Sequence, residues 1–191
     1  DRTIVIAAWS AEERGLLGSE VYAQAPIYPV EKTVANLAID VLQTAGKAKD
    51  VILVGKGQGT LEDDLAKFAK LQGRVVTEES LPERGLFFRA DHFSLAKRGV
   101  PVLLMMSLAG ASDLVEGGRA AGQKWIDDYT GKCYHAACDA WSPDWNLTGA
   151  VQDIDVMFDI GNSLAYSKDW PEWKAGSEFK ELRDASAEAR Q

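Results

Sequence analysis

Residues 3–19 read Thr-Ile-Val-Ile-Ala-Ala-Trp-Ser-Ala-Glu-Glu-Arg-Gly-Leu-Leu-Gly-Ser, an apolar, β-branched run that halts at two adjacent carboxylates and resumes as an amphipathic segment reaching Tyr22. This succession predicts a buried strand over residues 3–9, a loop bearing Glu12 and Glu13, and a helix over residues 16–24. A strand feeding straight into a helix is the repeating unit of α/β sheets. In open sheets of that class, ligands bind at the loops leaving the carboxyl ends of the strands, which is where the glutamate pair falls. Adjacent acids repel, and the usual reason for such a pair is a cation or a shared proton. The pair is equally compatible with a helix whose first turn carries acids that complement its dipole.

The rest of the chain repeats the alternation. Pro26 and Pro29 end the first helix. Residues 33–41 read as a second buried strand whose one charge, Asp40, lies near its carboxyl end. A buried carboxylate there needs a partner or a metal, whereas a strand-end acid meets solvent. Residues 50–55 form another strand, and the following Lys56-Gly57-Gln58-Gly59 lacks both the Gly-Lys-Ser/Thr ending and the dinucleotide fingerprint of a phosphate loop. Thr60-Leu61-Glu62-Asp63 is close to a capping box and opens a helix to about Leu71, with Leu61, Leu65, Phe68 and Leu71 on one face. A brief strand over residues 74–77 and a loop over 81–85 follow. Asp91 is placed to cap a helix, Gly99 to stop it, and residues 100–106 to form an apolar strand. An acidic amphipathic segment ends near Tyr129. A long helix running towards Tyr166 is apolar at Val151, Ile154, Met157, Phe158 and Leu164, with Met157 and Phe158 assigned to the core. Trp170-Pro171-Glu172-Trp173 marks a turn before an Ala/Glu/Arg-rich helix within residues 177–191.

At 191 residues, 46% hydrophobic and 26% charged, the chain is long enough to bury a core as a single domain. A net charge of -8 argues against nucleic acid and against an anionic membrane surface as partners, because both select clusters of Lys and Arg. No apolar stretch has membrane-spanning length, and no basic leader precedes an apolar core. Cys133 and Cys138 bracket one of the two histidines, His135. A disulfide bracing that loop, which implies an oxidising compartment, and a pair of packed thiols are both open. A structural zinc site is not, since it wants four protein ligands and no second Cys or His pair exists.

Three stretches together resemble the co-catalytic di-zinc aminopeptidase family, whose relatives include plasma glutamate carboxypeptidases and glutaminyl cyclases. They are Trp9-Ser10-Ala11-Glu12-Glu13-Arg14-Gly15-Leu16-Leu17-Gly18-Ser19, the Asn36-Leu37-Ala38-Ile39-Asp40 pattern, and Tyr134-His135 followed by Asp139. The closing Trp-Pro-x-Trp spacing also resembles one bacterial branch. The resemblance implies a three-layer αβα fold around a mostly parallel sheet of the zinc-exopeptidase type. It implies Glu12 as general base, Glu13 and His135 as ligands of one zinc, Asp40 as ligand of the other, and Tyr134 as donor to the oxyanion of the tetrahedral intermediate. Asp91 and His92 match a Ser-Asp-His segment that lies beside the family's metal centre without ligating it, with Ala90 where serine is common. Asp139 matches an aspartate able to orient the imidazole. Ala136 and Ala137 depart from the family, which usually has a polar residue and proline there.

The family's metal centre has five ligands, and the other two, a histidine and a bridging aspartate, lie upstream of the glutamate pair. Only residues 1–11 precede it here. The chain is therefore expected to be the C-terminal part of a metallopeptidase catalytic domain over residues 1–191, its sheet incomplete at the N-terminal side and its activity by itself nil. The expected parent acts on peptides with two zinc ions and is periplasmic or secreted. Exposed sheet edges would favour self-association. A glutaminyl cyclase-like acyltransferase and a non-catalytic interaction module are the alternatives.

Overall fold

The computed structural model describes residues 1–190. In chain order its regular elements are α1 (Leu17–Gln24), β1 (Asn36–Asp40), β2 (Asp50–Val54), α2 (Leu61–Leu71), β3 (Val75–Glu78), α3 (His92–Ala96), β4 (Val102–Met106), α4 (Gly118–Lys132), α5 (Thr148–Tyr166) and α6 (Lys180–Ala185), with short 3-10 turns between them. The four strands form one sheet in the order β1-β4-β2-β3. β1 pairs with β4 and β2 with β3 in parallel, while β2 and β4 meet antiparallel. The expected mostly parallel α/β sheet is present, with one antiparallel seam at its centre.

All five residues of β2 and all five of β4 are buried, as strands covered on both faces must be. Their alternate side chains feed two different cores. Val51, Leu53, Leu103 and Met105 pack with Leu61, Leu65 and Ala69 of α2 and Val156, Met157 and Ile160 of α5. Ile52, Val54, Val102, Leu104 and Met106 pack on the other side with Phe87, Trp173 and Phe179. This sandwich of a sheet between two covered faces is the three-layer αβα arrangement.

Several expectations need correction. Residues 3–9 are not a strand: no strand lies alongside them among the described residues, so their backbone lacks a ladder, and Ile6 is 96% exposed. The segment is tied instead to the end of α5, where the Arg2 amide donates to the Ala165 carbonyl at 2.9 Å. Phe158 is not core but 65% exposed, because α5 turns Val156, Met157 and Ile160 to the sheet and Phe158 falls outside that stripe. Leu71, at the end of α2, is likewise 74% exposed, and Ala69 takes the inward position. Thr60 and Asp91 make no side-chain cap. At α2, Glu62 takes over, accepting hydrogen bonds from the amides of Gly57 and Gly59. The expected tail helix is interrupted, with α6 followed by a 3-10 turn over Ala187–Arg190, and Gln191 lies outside the described residues.

One buried polar network joins strand to helix. The Arg74 guanidinium donates to the Asp50 carbonyl and to Asp153 of α5 at 2.5 Å, with both side chains nearly sealed from solvent. Burial pushes the Asp153 carboxyl above the ordinary carboxylate range even though Arg74 opposes it, so desolvation outweighs the attraction. Such a pair adds little net stability, but deleting one member strands the other charge. Asp153→Ala is expected to lower unfolding stability by about 3–5 kcal/mol, read from the denaturant midpoint, whereas replacing both Arg74 and Asp153 with apolar residues costs much less.

Candidate active site

Asp40 at the carboxyl end of β1, the turn over residues 12–14 and the loop after α4 hold the residues singled out by sequence. Glu12 and Glu13 form a single 3-10 turn, Glu12–Arg14, entered through Ala11 (φ 58°) and left through Gly15 (φ 99°) and Leu16 (φ 59°). The turn is closed by the amides of Gly15 and Leu16 donating to the Glu12 carbonyl, at 3.0 and 2.8 Å. Gly18 then lets α1 pass so close to Ser10 that a Cβ would stand 2.6 Å from its carbonyl oxygen. Below the turn, the fully buried Ser19 donates to Asp91 Oδ1 at 2.6 Å and lies 3.0 Å from Ser94 Oγ, locking α1 to α3.

Asp40 ends β1, half-buried, and the chain turns immediately through Val41 at φ 50°. His135 sits in the loop after α4 at φ 59°, inside a loop closed by a Cys133–Cys138 disulfide. Its Nε2 is 2.8 Å from Glu13 Oε1. The Tyr134 ring stacks on the imidazole with centroids 3.8 Å apart, and Tyr129 leans on Tyr134. Ala11, Leu16, Val41 and His135 are the non-glycine residues at positive φ among those described, and each adjoins or belongs to this site. A left-handed backbone costs roughly 1–3 kcal/mol at a non-glycine residue and persists where surrounding structure enforces it, characteristically at functional sites. For β-branched Val41 the conformation is a real outlier.

Electrostatically the site is a crowd of acids. The Glu12 carboxyl is raised above its ordinary range by burial first, then by the charges of Glu13, Asp40 and Asp91, with His135 opposing. Asp40 is raised by burial, then by Asp91 and Glu13, against a backbone hydrogen bond at Val41. Burial, then Glu13, Asp40 and Glu12, raise the Tyr134 phenol, and Arg89 pulls it the other way. A carboxylate with a raised pKa is a better proton acceptor near neutrality, and four clustered acids attract a cation. The donors are of the right kind for zinc, which takes imidazole nitrogen and carboxylate oxygen. Glu13 and His135 are already adjacent as a donor pair. Among the described residues, however, no three His, Cys, Asp or Glu side chains converge into a metal-binding group, so Asp40 stands apart from that pair.

Two further residues expected beside the metal centre have partners of their own. His92 is 1% exposed and packs edge-on against Phe87 at 4.9 Å, facing the apolar interior. Burial lowers its pKa to about 3, and among the described residues neither ring nitrogen finds a hydrogen-bond partner of good geometry. Asp139 Oδ2 accepts the Tyr129 hydroxyl at 2.7 Å. Asp91 does lie in the acidic cluster, through its charge on Glu12 and Asp40. Sequence reading missed Ser19, Tyr129 and Arg89. Of these, Ser19 left a signal, a hydroxyl on the apolar side of an amphipathic helix.

A mixed sheet covered on both faces by helices, with Glu12, Glu13, Asp40 and His135 gathered in and around the loop that leaves β1, is an α/β domain of the hydrolase kind. Residues 1–158 match the model of Peptidase family M28, and the chain belongs to that family. Its members are peptidases, hence hydrolases. No curated protein matches the chain.

Because the fold holds Asp40 partly buried among like charges, the protonated acid is favoured in the folded state. The resulting penalty is present at neutral pH and disappears as pH falls below the raised folded value. Asp40→Asn should therefore raise the melting midpoint of the metal-free protein at pH 7 above that of the parent chain. The gain should vanish in melts run below pH 4.

Proposed function

We propose that this chain carries the catalytic base and part of the metal centre of a zinc-dependent aminopeptidase, which removes N-terminal residues from peptides. The observation that carries the reading is Glu12, raised in pKa beside the Glu13–His135 pair. Glu13 and His135 would hold one zinc and Asp40 the second. Bound zinc lowers the pKa of water and polarises the scissile carbonyl. Glu12 accepts the proton of the attacking water and returns it to the leaving amine. Tyr134, its phenol kept protonated by burial and by the neighbouring acids, donates to the developing oxyanion. The Cys133–Cys138 bridge holds the loop that presents Tyr134 and His135, and it favours an oxidising, periplasmic or extracellular setting.

Three ligands are two fewer than the family's five, so the 191-residue chain by itself is expected to bind zinc weakly and to cleave nothing. Zinc titration and aminoacyl-substrate assays are to be run on this chain and on a form extended upstream to supply a histidine and a bridging aspartate. The extended form should bind two zinc ions and turn over. In that form Glu12→Gln should lower kcat by about 10²–10⁴-fold, the usual contribution of general acid-base catalysis, with zinc content unchanged. A chelator-sensitive rate from the 191-residue chain, or cyclisation of N-terminal glutaminyl peptides in place of hydrolysis, would overturn the assignment.

A further inference from the structure

Away from the acidic cluster, positive charge is gathered at one place. The guanidinium carbons of Arg2, Arg183 and Arg190 stand 5.0, 5.4 and 5.9 Å from the centre of the Trp170 ring. Stacking on an aromatic face accounts for one such cation, but three on one ring also repel each other. This gathering occurs in a chain of net charge -8. Among the described residues none of the three arginines is ion-paired with a carboxylate.

Arg2 donates to the Leu164 carbonyl and Arg190 to Ser186 Oγ. Arg183, only 3% exposed, donates from Nη1 and Nη2 to the Thr33 and Val34 carbonyls at 3.0 and 3.2 Å, which leaves three of its five N–H groups without an acceptor among the described residues. Burial first and the Arg190 charge second hold its pKa down to about 10. Arg183 and Arg190 line a cavity of about 240 Å³ together with Trp170, Pro171, Glu172 and Asp184. That volume is below the ~300 Å³ at which pockets for drug-sized ligands begin, so the fitting ligand is small. The carboxylates of Glu172 and Asp184 disfavour a multiply charged anion such as phosphate. Asp184 already accepts from Lys180 Nζ, which leaves Glu172 as the acid available to an ammonium group.

We propose that this cavity binds a free α-amino acid, with Arg183 and Arg190 receiving its carboxylate, Glu172 its ammonium group, and Trp170 and Pro171 its apolar side chain. Guanidinium groups suit this task because they present paired N–H donors to the two oxygens of a carboxylate. The site lies outside the acidic cluster and uses none of its residues.

The test is calorimetric titration of the 191-residue chain, with chelator present throughout, using L-leucine, L-leucinamide and inorganic phosphate as probes. Leucine should bind saturably, leucinamide at least ~10-fold more weakly for want of the carboxylate, and phosphate no better than leucinamide. Arg190→Gln, a half-exposed position whose loss leaves the fold intact by its melting midpoint, should weaken leucine by at least ~10-fold, while Glu13→Gln leaves it unchanged. Absence of saturable leucine binding, equal binding of leucine and leucinamide, phosphate binding as tightly as leucine, or sensitivity to Glu13→Gln instead of Arg190→Gln would each overturn the proposal.

Discussion

The burial of Glu12 and Asp40 beside the charges of Glu13 and Asp91 is the constraint on which the site depends. In water four such acids would separate. Here Asp40 is fixed by the β1–β4 ladder, Glu12 and Glu13 by a closed 3-10 turn, and Asp91 by the Ser19 hydroxyl. The nearby groups of opposite tendency are His135, against Glu13, and Arg89, close to Tyr134. Burial first, and the neighbouring acids second, raise the Glu12 and Asp40 carboxyls above their ordinary range. A cation relieves the repulsion between them, and the same electrostatics make a base of Glu12.

The scaffold's task is to make that arrangement cheaper than unfolding. Ten buried residues of β2 and β4, packed on both faces by helices and aromatic side chains, provide the rigid part. Backbone strain is then placed where the loops leave this part, at Ala11, Leu16, Val41 and His135. The disulfide restrains the loop that carries the last of these, a segment whose residues are otherwise mostly exposed. Rigid core and strained rim are complementary, since a soft core would relax the strain and lose the geometry.

Local patterns were readable wherever a single element settled them. α2 lies where the spacing of Leu61 and Leu65 placed it, β2 and β4 where unbroken apolar runs marked covered strands, and α5 where the long amphipathic stretch ran. Reading failed where a neighbour decided. The run at residues 3–9 has the composition of a strand but no ladder partner among the described residues, and Phe158 has the spacing of a core residue but lies past the edge of the buried stripe. Nor did the sequence supply the partners of His92 and Asp139, which are Phe87 and Tyr129.

By itself the sequence determined the α/β class, the family motifs and the identity of the acids, tyrosine and histidine that gather near Asp40. These depend on residue type and on periodicities of two and 3.6, which act over a few neighbouring residues. Only the tertiary structure decided that Glu13 and His135, more than a hundred residues apart, come within 2.8 Å, and that Cys133 bonds Cys138. It alone brought arginines from both ends of the described chain onto Trp170. Contacts of that range follow from how the sheet stacks and how loops close over its edge, and no local periodicity encodes them.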